Sequence, residues 1–408
     1  MELKELSFIE FDEFAKQHKL ASFYQSSFYA LIMGEKGFDY EYIGLIDEMG
    51  NIVAASLILL KKIKKNIYYG YAPKGFLIDY NDELLLKTFT DLLIKYYDRK
   101  NVAFIKINPD ISIGVLAKNA IKSNDNVNIK YILQKNKYFK LKNNLYFESS
   151  LPRFNAIVNL KNLDYTKLKK NTRNKINKGI RKGLILEKGD INSLSLIDKM
   201  IKKNKTYCDI NLNDFYNVFH KIDAIDIYLV SIDYEEFLIN TRISYDEEID
   251  RNTKYNEKIM KNPTEDNINV KMNSDLVLLA YKNDILEGTK GLKEEKKDYI
   301  AGAVVVKYND TVYLVASTFD KSFSRFNANY FMHYNIMNNY KETFKYFDMN
   351  GLTGDFDNTN PYNGLNKFKL GFKPEVYEYV GEHDLIVNEN SYFYLKETGA
   401  LAKEFNKK

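Results

Sequence analysis

Three nearby segments hold the residues best suited to chemistry: Tyr346-Phe347-Asp348-Met349-Asn350-Gly351, Thr353-Gly354-Asp355-Phe356 and Gly364-Leu365-Asn366-Lys367-Phe368-Lys369-Leu370-Gly371-Phe372. Glycine lets a ligand approach the main chain closely, so Gly351, Gly354, Gly364 and Gly371 read as pocket backbone. A lysine between phenylalanines places a charge at the edge of an apolar cleft, where it acts more strongly than in water. Lys369 is the cation so placed. The alternative is a lysine that merely snorkels over Phe368 and Phe372. A second candidate is the run from Lys167 to Lys182, with eight Lys or Arg and no acidic residue. Lys169, Arg173, Lys178 and Lys182 fall near helical spacing, and Leu168, Ile176, Ile180 and Leu184 can form a buried stripe. Such a run repels itself, and a polyanion relieves the repulsion; a solvated face is the alternative. His18, His220, His333 and His383 form no ligand-spaced pair, so no metal is expected. There is no Gly-x-Ser-x-Gly elbow and no Gly-x-x-x-x-Gly-Lys-Ser/Thr loop.

The elements that must position these groups form a mixed α/β (α+β) pattern. Ser7 to Lys16 reads as a helix with Phe8, Phe11, Phe14 and Ala15 on one face. A hairpin follows (Glu41 to Ile46, Asn51 to Leu60), then a strand from Lys65 to Tyr71. The helix from Asn81 to Tyr97 carries Leu84, Leu85, Phe89, Leu92, Leu93 and Tyr96, and Val102 to Ile107 is a buried strand stopped by Pro109. A comparable order recurs later. Strands are expected at Asn155 to Leu160 and Asp226 to Ser231, with a helix around Ser193 to Tyr207. A hairpin (Tyr299 to Tyr308, Thr311 to Ser317), a helix (Arg325 to Thr343) and a strand (Lys345 to Met349) complete it. Between the parts, residues 234–297 read as two antiparallel helices broken at Asn262-Pro263-Thr264, each reaching roughly 40 Å at about 1.5 Å per residue. Their apolar positions include Phe237, Leu238, Ile243, Ile249, Leu276, Leu279 and Leu286. A helical subdomain lying flat on the body is the other reading. With 408 residues, 45% of them hydrophobic and 28% charged, the chain is long enough for two or three globular units. No run is long and apolar enough to span a bilayer, and no signal peptide is evident. A single cysteine, Cys208, cannot pair internally and fits a reducing compartment.

Gly-Leu-x-x-Phe-Lys-x-Gly-Phe after a Tyr-x-Asp-x-x-Gly strand end resembles the signature of the Fem (FemABX) family of peptidoglycan aminoacyltransferases. Shorter motifs agree in order. Phe23-Tyr24-Gln25-Ser26 looks like the family's Phe-x-Gln-Ser. Tyr71-Ala72-Pro73-Lys74-Gly75 with Asp79-Tyr80 is similar to Pro-x-Gly-Pro-x-x-Asp, with Phe76 where proline is usual. Lys106-Ile107-Asn108-Pro109 resembles Lys-x-Asp-Pro, with an amide in place of the carboxylate. Thr172-Arg173-Asn174-Lys175 fits the family's basic helix, and Gly381-Glu382-His383-Asp384-Leu385 its returning tail.

The resemblance implies two N-acetyltransferase-like (GNAT) domains, residues 1–153 with 375–408 and residues 154–233 with 298–374, plus a two-helix coiled-coil arm at 234–297. It implies aminolysis of an ester: an amino acid passes from aminoacyl-tRNA to the side-chain amine of a muramyl stem peptide. Catalysis would fall to Lys369 and Phe368. Precursor binding would fall to Lys36, Tyr71, Lys74, Asp79 and Asn108. Some members place basic residues for the precursor's phosphates at positions that fall here at Met33 and Asn211, with Lys36 as the nearby substitute. Contact with tRNA would fall to Lys169, Lys170, Arg173, Lys175, Lys178, Arg181 and Lys182. No cofactor is implied beyond aminoacyl-tRNA as co-substrate, and the location would be cytoplasmic. The precursor, lipid-linked or UDP-linked, stays open, as do contact with the inner membrane leaflet and dimerisation with itself or a paralogue. The alternatives are an acyl-CoA-dependent N-acyltransferase of the same fold, or a tRNA-binding protein without catalysis.

Overall fold

The computed structural model of the protein describes residues 1–117, 120–140, 145–204 and 211–405. Two sheets organise it. The first runs Glu2–Glu5, Asp39–Ile46, Ile52–Lys64, Ile67–Ala72, Val102–Ile107, His383–Ile386 and Tyr138–Lys140 in spatial order. The second runs Leu184–Gly189, Ile225–Ile232, Tyr299–Tyr308, Thr311–Phe319, Tyr346–Leu352, Phe154–Asn159, Glu375–Tyr379, Ser112–Ala117 and Ala120–Ser123. Strands therefore cross the expected domain boundaries. Ser112–Ala117, Ala120–Ser123 and Glu375–Tyr379 lie in the second sheet, and the C-terminal return to the first sheet begins only at His383.

Each sheet repeats one device. An antiparallel hairpin (Ile52–Lys64 with Ile67–Ala72, or Tyr299–Tyr308 with Thr311–Phe319) leads into a helix, then into a strand parallel to the hairpin's second arm. The crossover helices are Glu83–Asp98 and Ala328–Tyr340. Asp82 caps the first by accepting the Leu85 N–H at 2.9 Å. Its buried face is Leu86, Phe89, Leu93 and Tyr97, while Leu84 is 76% exposed. The apolar stripe is thus rotated from the expected one, toward Leu86 and Tyr97. In the first helix, Phe8–Gln17, Ser7 and Glu10 form a capping box, and Phe11 and Ala15 are buried while Phe8 is exposed.

The inserted segment is a pair of antiparallel helices, Tyr234–Lys261 and Glu265–Lys293, capped by Asp233 and Thr264. Its base packs tightly, Gly288 against Phe237 and Leu238, and Gly291 against the ring of Tyr234. Further out the seam is polar: Ser274 Oγ donates to buried Glu248 at 2.6 Å and Asn252 donates to Ser274 at 3.1 Å. Leu276, Leu279 and Leu286 face solvent, and Ile243 is 54% exposed. The expected apolar seam is therefore off by a residue or two. The seam runs at alternating 3–4 spacing through Ser274, Leu278, Tyr281, Ile285 and Gly288. The helix expected around Ser193 to Tyr207 is Ser193–Lys203; Tyr207 and Cys208 lie outside the described residues. No helix among the described residues is long and apolar enough to cross a membrane.

The sheets meet through aromatic packing and ionic ties. Phe23 lies edge-on to Tyr313 at 4.9 Å and to Phe219 at 6.0 Å. Lys74, after the first sheet's strand Ile67–Ala72, lies over the ring of Tyr379 in the second, and Glu382, just before His383, accepts from the Ser149 hydroxyl at 2.7 Å and the Ser150 N–H at 2.5 Å.

Candidate active-site cleft

A cleft of about 730 Å³ opens where the two sheets face each other. Its origin is topological. Thr311–Phe319 and Tyr346–Leu352 pair in parallel only as far as Tyr313 and Asp348. Past that point Leu314 and Val315 on one strand and Asn350 on the other line open space. The first sheet contributes Lys61, Tyr69 and Tyr71, followed by Lys74, and the helix Ser27–Glu35 brings Tyr29, Met33 and then Lys36.

Lys74 is almost fully buried. Its ammonium sits 2.8 Å from Asp110 and 3.9 Å from the ring centre of Tyr379. Its backbone N–H donates to Asn108 Oδ1 at 2.9 Å, and Asn108 Nδ2 donates to the Tyr71 hydroxyl at 3.4 Å. Asn108 therefore holds the Lys74 turn and the tyrosine, a use that needs an acceptor and a donor on one side chain. It does not itself line the cleft. Asp79 is away from the cleft too. It pairs with Lys19 at 3.0 Å and accepts the Asn81 N–H at 3.2 Å, which makes it a turn residue on the surface.

Asp348 is the carboxylate that lines the cleft from the second sheet. Its Oδ1 accepts the Asn350 N–H at 2.7 Å, and Asn155 Nδ2 reaches Oδ2 at 3.1 Å. Burial pushes its pKa up, and the positive charge of Lys74 is the largest opposing influence.

Lys369 differs from expectation. Its ammonium donates to the carbonyls of Met349 at 2.7 Å and Gly351 at 2.5 Å, behind the strand end, and does not line the cleft. Desolvation brings its pKa down to about 7, with Asp348 pulling the other way. Phe368 packs edge-on against Tyr330 at 4.8 Å, His333 at 4.9 Å and Phe372 at 5.4 Å. Three of the four glycines serve close packing and leave no room for a ligand. A Cβ on Gly351 would strike Pro152, on Gly354 the ring of Phe154, and on Gly371 the Thr172 hydroxyl; Gly364 faces open space.

The basic helix spans Lys170–Arg181 and packs Ile176 inward, with Leu168 and Leu184 buried beside it. Ile180, expected in the buried stripe, is 53% exposed. Lys169, Lys170, Lys178 and Arg181 are exposed and form no ion pair among the described residues. Arg173 bonds the Thr166 carbonyl at 3.1 Å, and Lys175 bonds the Tyr330 hydroxyl at 3.0 Å. Lys182 is a correction. It is buried against Phe237 and Phe326, paired with Asp284 of the arm, and cannot meet a polyanion. Arg325 joins it by pairing with Asp284 and Glu287.

Sequence reasoning passed over Asp348 as a site residue, along with Asp110, Asn155, Tyr313 and Tyr379. The first two stood inside quoted or adjoining motifs; the others carry no local signal, because only the fold assembles them. Among the described residues no three His, Cys, Asp or Glu side chains are grouped to hold a metal ion.

The model of the FemAB family matches residues 6–398. The aminoacyltransferase FemA of Staphylococcus epidermidis is 24% identical across 99% of this chain and 100% of its own. The lipid II:glycine glycyltransferase of Staphylococcus aureus is 23% identical across 97% of this chain and 96% of its own. A crystal structure of FemX superposes with a TM-score of 0.71 at 19% identity, covering 97% of this chain and 100% of that one, which is a likeness of fold.

Proposed function

The chain belongs to the FemAB family, and from that premise we propose an aminoacyltransferase that moves an amino acid from aminoacyl-tRNA to the side-chain amine of a peptidoglycan stem peptide. The observation that carries this reading is the family match across nearly the whole chain, together with a cleft large enough for a peptide. The S. aureus relative's name points to lipid II, so a lipid-linked precursor is the acceptor proposed here, reached from the cytoplasmic side of the inner leaflet. Lys36, Lys61 and Lys74 bring positive charge to the cleft for the precursor's phosphates, and Tyr71 and Tyr69 offer ring surface. The exposed cations Lys169, Lys170, Lys178 and Arg181 supply the face for tRNA. Aminolysis of an ester needs no cofactor beyond the charged tRNA.

The architecture that suits this role is two N-acetyltransferase-like units, one around each sheet, with residues 234–293 as a coiled-coil arm. Lys369 acts in this scheme as a positioning residue that fixes the strand end at Met349 and Gly351.

The test is direct. The protein is incubated with a pool of charged tRNAs and with lipid-linked or UDP-linked precursor, and products are weighed by mass spectrometry. An amide product heavier by one amino-acid residue is expected. Transfer from an acyl-CoA instead, or no product with any charged tRNA, would overturn the reading.

A further inference from the structure

The proposed reaction needs a group that takes a proton from the attacking amine, and the amide of Asn108 cannot be that group. Four elements converge on another candidate. Asp348 stands on the strand Tyr346–Leu352 and lines the cleft. Asn155 on the neighbouring strand Phe154–Asn159 lines it too, and its Oδ1 is buried without accepting a hydrogen bond. An unsatisfied buried acceptor calls for a donor. A carboxylate and an amide oxygen side by side match two N–H groups on one nitrogen, which is the chemistry of a primary amine.

We infer that Asp348 is the proton acceptor for the attacking amine, with Asn155 Oδ1 holding a second N–H of the same nitrogen. This rests on the aminoacyl-transfer reading. In the step, the amine nitrogen attacks the ester carbonyl carbon of the aminoacyl donor. A C–N bond forms and the C–O bond to the ribose breaks. One amine proton passes to the Asp348 carboxylate and then to the departing ribose oxygen, so the carboxylate is regenerated and no other reactant is consumed.

The surroundings suit a base. Lys74, from the turn after Ile67–Ala72, and Lys369, from the helix Asn363–Leu370, both favour the ionised form, as do Asn155 and the Asn350 N–H. Tyr24, Tyr313 and Tyr379, from three further segments, all feel the negative charges of Asp348 and Asp110. Burial outweighs the lysines and holds the carboxyl above the usual aspartate range, which favours proton transfer near neutral pH.

The experiment compares wild type, Asp348→Asn and Asn155→Ala in the full chain, with charged tRNA and precursor at saturation over a range of pH. Asp348→Asn keeps an oxygen for the Asn350 N–H, so melting temperature is expected to hold. Its kcat is expected to fall on the order of 100-fold or more, with loss of the acid limb of the pH profile. Asn155→Ala removes a donor to the carboxylate and the acceptor for the second N–H, so the limb is expected to move to higher pH and kcat to fall less than in Asp348→Asn. A kcat for Asp348→Asn within about threefold of wild type overturns the assignment, as does a rise in KM alone. Lost activity with the acid limb intact also overturns it, because that is the mark of a structural role. If wild type itself makes no amide product, the aminoacyl-transfer reading falls and the inference with it; an active wild type matched by Asp348→Asn sinks the base alone.

Discussion

Replacing Lys369 with methionine tests what the buried ammonium does for the fold. The change keeps the volume and removes the donor that holds the carbonyls of Met349 and Gly351. Two opposing effects are in play near neutral pH: the loss of hydrogen bonds to two buried acceptors and the relief of a desolvated charge. The folded-state pKa is about 7 against an ordinary value of 10.5, so between those values the unfolded chain holds a proton that the folded chain has shed. Stability from this group therefore rises with pH across that window, and its penalty is complete only below about pH 7. At about 1.4 kcal/mol per unit, and with the folded group still half protonated at the start, the gain from about pH 7 to about pH 9 is about 2 kcal/mol. Methionine cannot show it. Equilibrium urea unfolding of both proteins is thus expected to give similar stabilities near pH 7 and a deficit of about 2 kcal/mol in Lys369→Met near pH 9. The depressed pKa of Lys140 adds the same slope to both proteins and cancels in the difference. The buried tyrosines, whose pKa values are raised above 10, act only at higher pH. Parallel stability curves for the two proteins would refute this account of Lys369.

Four further outcomes are expected. Lys182→Met leaves Asp284, among the described residues, paired with Arg325 alone and is expected to cost about 3 kcal/mol; an unchanged urea midpoint and unchanged proteolysis within residues 234–293 would count against it. Charge reversal at Lys170 and Lys178 is expected to weaken tRNA binding and lower the slope of log K against log salt by about 1 per lost phosphate contact; filter binding across salt concentrations reads it, and an unchanged slope would remove this helix from the interface. Asn108→Asp adds a buried carboxylate close to Asp110 with no line to the cleft, so lower thermal stability and no gain in kcat are expected; a tenfold gain would place a base at this position. Asp110→Asn frees Lys74 to approach Asp348, so the acid limb of the pH profile is expected to move to lower pH; a limb that stays in place would separate the two carboxylates.

Much of the fold was legible because local pattern and tertiary need coincide. The hairpin at Asn309-Asp310 turns with Asn309 at φ +50°, as that pair of residues suggests. Helix–strand order follows from the change between 3.6- and 2-residue periodicity. Phase was harder to read. The arm carries enough Ile and Leu to draw a seam through Leu276 and Leu279, yet Leu278 and Ile285 fill it instead, and at its outer part Glu248, Ser274 and Asn252 satisfy one another. The same limit applies to Lys182, whose neighbours Phe326 and Asp284 lie more than one hundred residues away in sequence. The signature around Lys369 marked the region, while the fold sets that lysine behind the strand end, bonded to the carbonyls of Met349 and Gly351. Its glycines pack against Pro152, Phe154 and Thr172, and the chemistry-bearing carboxylate stands at the start of the motif, at Asp348.

The cleft belongs to neither sheet alone, and its electrostatics depend on that. If Lys74 paired directly with Asp348, the lysine would hold the carboxylate ionised and make it a poor proton acceptor. Instead Lys74 sits 2.8 Å from Asp110, a residue of the first sheet's side, and is held over the ring of Tyr379 from the second. Asn108 fixes the backbone of the same lysine. The positive charge is thus near enough to be the main influence opposing burial at Asp348, but is engaged elsewhere, so burial still wins and the carboxyl pKa stays raised. An amide at position 108 suits this arrangement better than a carboxylate would. A second acid beside Asp110 would compete for Lys74 and add a buried negative charge, whereas Asn108 anchors the turn and Tyr71 without changing the charge balance. Lys74 on the first sheet's side can then tune Asp348 of the second across the cleft where, on the reading proposed, the amine loses its proton.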